Sequence, residues 1–140
     1  MRLIRRAHLF VAWVFVAGVI LQVFLAGLGV FDSPARFVDH VTWGYTLEIL
    51  PLLLLALAAL GRIGRRQVIF AVVLFGMFIL QSILVALRAD LPVVAALHPV
   101  NGFGLLLLGI VAAREAWIAR AVDEPASAAM PTAAPGTAGR

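Results

Sequence analysis

"QVIFAVVLFGMFILQSILVAL", residues 67–87, runs for 21 residues without a charge, between Arg65–Arg66 and Arg88. A helix of about 20 residues, rising about 1.5 Å per residue, spans the hydrocarbon core of a bilayer. In hydrocarbon every backbone N–H and C=O must pair within its own segment, so the stretch predicts a helix. A transmembrane strand would alternate in polarity over about 10 residues, and this run does not.

Three more runs of this kind flank it. The first is uncharged from Ala7 to Phe31 and follows "MRLIRR"; the second runs from about Val41 to Leu60, interrupted only by Glu48. The last is uncharged from Leu91 to Ala113, with its helix starting between Pro92 and Pro99. The spans are therefore placed at about 8–31, 41–60, 67–87 and 92–117. The first run exceeds the roughly 7–15 apolar residues of a signal peptide and ends in no small-x-small cleavage site, so it is read as a retained anchor.

Composition agrees with this reading. Of the 140 residues, 64% are hydrophobic and 13% charged, against roughly 45–50% and 25% in soluble domains. A soluble core of this length would leave the excess apolar surface in water. The fold class expected is all-α, an integral membrane four-helix bundle. With no cysteine, disulfides, thiolate zinc and iron–sulfur centres are excluded. The net charge of +4 comes from short inter-span segments, so it reads as membrane topology rather than a nucleic-acid surface. Arg2, Arg5, Arg6, Arg62, Arg65, Arg66, Arg114 and Arg120 lie on one side, with only Arg36 and Arg88 on the other, beside Asp32, Asp39 and Asp90. The positive-inside rule then places both termini in the cytoplasm, as expected for a multi-pass protein of a bacterial plasma membrane. Residues 121–140, rich in Ala, Pro, Gly, Ser and Thr, are expected to form a disordered cytoplasmic tail.

The chain also repeats itself. "LQVFLAGL" (21–28) aligns with "LQSILVAL" (80–87), and "HVTWGY" (40–45) with "HPVNGF" (98–103). Gln22 precedes His40 by 18 residues and Gln81 precedes His98 by 17. Matching Leu, Val and Ala arises easily in apolar sequence; matching Gln, His and Gly in order does not. Two tandem two-helix repeats related by an axis along the membrane normal would bring His40 and His98 to one depth, near the outer leaflet, facing each other.

Two opposed imidazoles without cysteine suit the axial positions of a haem iron, one on each face of the ring. Gly44 and Gly102 lie one turn deeper on the same helical faces, where a missing side chain admits a porphyrin edge. Tyr45 and Phe103 are candidates to pack on the ring, and Arg36 and Arg88 to meet the propionates. Gln22, Gln81, Asn101 or a backbone carbonyl could hold the second imidazole nitrogen. A histidine near an interface also sits there simply as an amphipathic residue, and His8, beside the first arginines, is expected to do so. Gln22 and Gln81 equally suit interhelical hydrogen bonds. Glu48, about two turns into its span, reads either as a protonated carboxyl bonded inside the bundle or as a proton or redox relay, with Pro51 kinking the helix nearby.

With these residues in hand, "LQSILVALRADLPVVAALHPVNGFGLLLL" (80–108) resembles the third and fourth helices of one half of haem A synthase. "LQVFLAGL … HVTWGY" resembles the preceding pair. In that family histidines at the outer ends of the second and fourth helices ligate haem, and the matching positions are His40 and His98. This chain has room for one such half, carries Asp39 and Val41 beside His40, and lacks the outer cysteines of many members. The resemblance thus implies a haem-binding scaffold and not farnesyl-haem oxidation. The chain also looks like members of an uncharacterised group of small bacterial four-helix membrane proteins.

The functional expectation is a b-type cytochrome-like protein holding haem b between His40 and His98, for electron transfer or haem handling. The alternatives are a non-redox accessory subunit whose polar residues pin helices together, and a small carrier or quinone-binding protein built on Glu48 and Pro51. No nucleophile–base pair is visible, so no independent enzymatic activity is expected. The expected partners are the lipid bilayer and a redox partner or quinone; a homo-oligomer stays open.

Overall fold

The computed structural model describes residues 2–128, with side chains through residue 119. All regular structure among them is helical. The helices are α1 (Arg2–Phe31), α2 (Phe37–Leu47), α3 (Ile49–Leu60), α4 (Arg65–Ala86), the single turn α5 (Pro92–Ala95) and α6 (His98–Ala128). Four stretches are long and apolar enough to cross a membrane: Arg2–Phe31, Pro34–Leu60, Arg65–Ala86 and Pro92–Ala119. Each overlaps one of the four expected spans, and the third ends at Ala86, one residue short of its expected end. Helix α6 continues to Ala128, into the segment expected as a tail; residues 129–140 of that expectation lie outside the described residues.

The four spans form a ring. Helix α1 packs on α6 and on the α2–α3 pair, and α4 packs on α3 and α6. This leaves α1 diagonal to α4, and the α2–α3 span diagonal to α6. The buried stripes show why. On α1, His8, Ala12, Phe15, Val16 and Val19 recur at helical spacing, and on α4, Gln67, Ala71, Leu74 and Phe78 do so. Phe15 and Leu74 are fully buried, and Phe15 meets Phe78 edge-on with centroids 6.0 Å apart. Small residues let the helices close up: a Cβ on Gly109 would stand 2.7 Å from Cε1 of Phe15, and one on Gly18 2.7 Å from Cδ1 of Leu47. The outward faces are apolar, with Phe24, Ile49 and Leu107 each 60% exposed. That is the distribution a lipid-facing surface requires and a water-facing one penalises.

The connections follow local chemistry. Ser33 Oγ accepts from the Ala35 N–H and Pro34 opens a turn of 3-10 helix, so the chain reverses into α2. Gly64, at φ 130°, occupies a conformation that side chains resist, and it ends the α3–α4 turn. The second span breaks at Glu48 rather than bending at Pro51. A proline ring clashes with the carbonyl four residues earlier, here that of Leu47, so the discontinuity falls one turn ahead of the proline.

His8 departs from expectation. It is 2% exposed, inside the bundle rather than at an interface, and lines a cavity of about 10 Å³ with Gln67, Leu54 and Phe70. Its Nδ1 has no hydrogen-bond partner among the described residues. The register of α1 decides this, because His8 shares a face with Ala12, Phe15 and Val19. At the same end, Arg66 bridges to Glu115 at 2.6 Å, tying α4 to α6.

Candidate functional site

At the opposite end of the bundle from Arg66 and Glu115, α2 carries His40 one turn from its start and α6 begins with His98. The two imidazoles face each other across the bundle diagonal with ring centroids 6.2 Å apart and planes at 66°.

Each ring is held in the same way. Nδ1 of His40 lies 3.1 Å from the main-chain carbonyl of Gln22 on α1, and Nδ1 of His98 lies 3.4 Å from that of Gln81 on α4. A carbonyl oxygen only accepts, so Nδ1 carries the proton in both neutral rings and Nε2 carries the lone pair. Gln22 Nε2 donates to the His40 carbonyl at 2.9 Å and stands 3.3 Å from His40 Nε2, so one amide engages both ends of that residue. The other amide atom, Gln22 Oε1, is buried without a partner among the described residues. On the second side Asn101 Nδ2 donates to Gln81 Oε1 at 2.7 Å and to the Met77 carbonyl at 2.9 Å.

The two glycines lie beneath these amides. A Cβ on Gly44 would stand 3.0 Å from Gln22 Nε2, and one on Gly102 3.5 Å from Gln81 Nε2. The group that crosses each glycine is thus the glutamine of the preceding span.

His40, His98, Gln22, Gln81, Asn101, Gly44 and Gly102 therefore form one cluster. Tyr45 and Phe103 do not join it, being 67% and 66% exposed on the outside of the bundle. One step along a helix turns a side chain by about 100°, which carries each aromatic off the face its glycine occupies. Phe37 instead flanks His40, edge-on at 6.2 Å. The i, i+3 spacing from Phe37 to His40 was the available signal for it. Arg36 pairs with Asp32 at 3.4 Å and Asp39 at 3.2 Å. Arg88 donates to the Val85 carbonyl at 3.4 Å and is exposed. Both arginines sit at the histidine end without touching either ring. Glu48 is half-buried at the α2–α3 break, about 12 Å along the span from His40; its N–H donates to the Gly44 carbonyl at 3.2 Å, and its carboxyl group has no hydrogen bond or ion pair among the described residues.

As a donor set, the pair offers two neutral imidazole lone pairs. No group of three or more His, Cys, Asp or Glu side chains converges among the described residues. Two imidazoles bound through Nε2 on opposite sides of one metal, at about 2.0–2.1 Å per bond, hold their centroids about 6.3 Å apart. The observed 6.2 Å fits that arrangement in distance. In angle the rings still need to turn, because the Gln22 amide occupies the Nε2 side of His40.

A family of unknown function (DUF6220) matches residues 22–89, just under half of the chain, taking in Gln22, His40, Glu48 and Gln81 and ending before His98. No curated protein and no solved structure matches the chain, so the resemblance to haem A synthase finds no support in these comparisons.

Proposed function

We propose that the protein is a membrane-embedded b-type cytochrome-like protein in which His40 and His98 hold one haem b for electron transfer or haem handling. In this reading the bundle is two tandem two-helix repeats in a bacterial plasma membrane, with both termini cytoplasmic and the histidines near the outer leaflet. The reading rests on one observation above others: two imidazoles from diagonal spans, 6.2 Å apart, each with Nδ1 turned to a main-chain carbonyl of a glutamine. A carbonyl on Nδ1 fixes the tautomer and orients the ring, as it does for metal-ligating histidines generally.

When bound, the haem would supply one-electron redox chemistry. The chain's own part is positional. The Gln22 and Gln81 carbonyls place the lone pair of each ring on Nε2, the Gln22 amide has to turn away from that of His40, and Asn101 restrains the Gln81 side chain. Of the two arginines at that end, Arg36 is already paired with Asp32 and Asp39, which leaves Arg88 as the cation for a propionate.

A second reading is favoured by the hydrogen bonds themselves. Gln22 engages the backbone and ring of His40, and Asn101 donates to Gln81 Oε1, so the same residues can serve only to pin helices in an accessory subunit. Reduced-minus-oxidised spectra of the detergent-purified protein separate the two. The haem reading expects Soret and α bands that His40→Ala and His98→Ala each abolish, and that Gln22→Ala retains at a shifted potential. Absent bands after expression with ample haem, or bands unchanged in both histidine variants, overturn it. The accessory reading expects a colourless protein that the same variants destabilise by about 1 kcal/mol.

A further inference from the structure

At the other end of the bundle, a groove of about 390 Å³ between α1 and α6 is lined by Trp13, Arg114, Trp117 and Ile118. We infer that this groove binds the headgroup phosphate of an anionic phospholipid.

Its polar groups are unused. The Arg114 side chain is exposed and makes no ion pair or hydrogen bond among the described residues. The adjacent carboxylate does not neutralise it, because Glu115 is engaged by Arg66 across the α4–α6 contact. Trp13 and Trp117 are 41% and 56% exposed, and their indole N–H groups have no acceptor among the described residues. Trp43 behaves otherwise: its Nε1 donates to the Gly18 carbonyl at 2.9 Å and serves packing. A desolvated indole N–H needs an acceptor, and indoles that keep one end apolar and one end polar gather at membrane interfaces.

Depth and charge select the occupant. From His98 to Arg114 is 16 residues of continuous helix, about 24 Å, which puts Arg114 near the far boundary of a hydrocarbon core of about 30 Å. Arg5, Arg6, Arg65 and Arg66 stand at this end, so an anion is favoured and a cationic group repelled. Ile118 and the indole faces offer an apolar wall for the glycerol and first methylenes, while Arg114 and the two N–H groups meet phosphate oxygens.

The test uses the full chain in phosphatidylcholine vesicles carrying equal fractions of tail-brominated phosphatidylglycerol or tail-brominated phosphatidylcholine. Quenching of tryptophan fluorescence gives the ratio of the two lipids' association constants. The wild type is expected to favour the anionic lipid about fivefold, from the contribution of one arginine at a charged surface. Arg114→Gln is expected to remove that factor. Arg62→Gln, an equal loss of charge in the exposed α3–α4 turn, is expected to leave it unchanged. Trp13→Phe with Trp117→Phe is expected to abolish the anion-dependent quenching, leaving only the Trp43 signal. No preference in the wild type, a preference that survives Arg114→Gln, or one that falls equally with Arg62→Gln overturns the site in favour of bare or diffuse surface charge.

Discussion

Gly109 sits where α6 crosses α1, and Gly109→Ala isolates the cost of closing that crossing. The added methyl would lie 2.7 Å from Cε1 and 2.9 Å from Cδ1 of Phe15. Phe15 cannot retreat, because it is fully buried and wedged edge-on against Phe78. The helices must part by several tenths of an ångström, and overpacking of this kind costs about 1–3 kcal/mol. Gly76→Ala is the matched control. A Cβ on Gly76 meets nothing within 4 Å, so that variant only gains the helix propensity of alanine, about 0.8–1.0 kcal/mol. The same gain accompanies Gly109→Ala, so it cancels in the comparison. Gly109→Ala is therefore expected to be less stable than Gly76→Ala by about 1–3 kcal/mol. The assay is reversible unfolding in mixed detergent micelles with increasing dodecyl sulfate, followed by circular dichroism. A double-mutant cycle with Phe15→Leu, which removes the ring atoms in contact, should recover most of the cost. Equal stability of the two alanine variants would refute the packing account, as would Gly109 and Phe15 effects that add within about 0.5 kcal/mol.

Three further outcomes follow from hydrogen bonds and close approaches. Trp43→Phe removes the bond from Nε1 to the Gly18 carbonyl, 2.9 Å long, that ties α2 to α1; it is expected to lower unfolding free energy by about 0.6–1.7 kcal/mol, and an unchanged detergent midpoint would contradict this. Asn101→Leu strips the donor from Gln81 Oε1 and the Met77 carbonyl. The expected loss is about 1–2 kcal/mol, and Gln81→Leu should cost less in that background than alone. Gly102→Ala, with 3.5 Å to Gln81 Nε2, should be neutral or stabilising by up to about 1 kcal/mol. Gly44→Ala, with 3.0 Å to an amide already bonded to the His40 carbonyl, should be the less stable of the two, and the reverse order in the same assay would contradict that.

Much of the architecture was legible in the chain because it is set locally. An uncharged run such as 67–87 leaves its backbone no partner in hydrocarbon except itself, so helix type and count followed from length and polarity. Ser33–Pro34 and Gly64 marked turns for equally local reasons. The Gln-to-His spacings, 18 and 17 residues, brought out the residues that meet at the histidine cluster.

What each helix turns inward was decided only by the tertiary structure. In a soluble helix polarity marks the face, but a span that is apolar all round carries no such mark, because lipid is as apolar as the core. Rotation is then set by which bulky side chain fits which small one, as Phe15 fits Gly109 and Leu47 fits Gly18. That fit buries His8, turns Tyr45 and Phe103 outward, and lays the glutamine amides across the glycines expected to admit a porphyrin edge. The sequence alone determined that four helices form and that two histidines share a level. Interhelical packing, which no local pattern encodes, set His40 and His98 face to face at 6.2 Å.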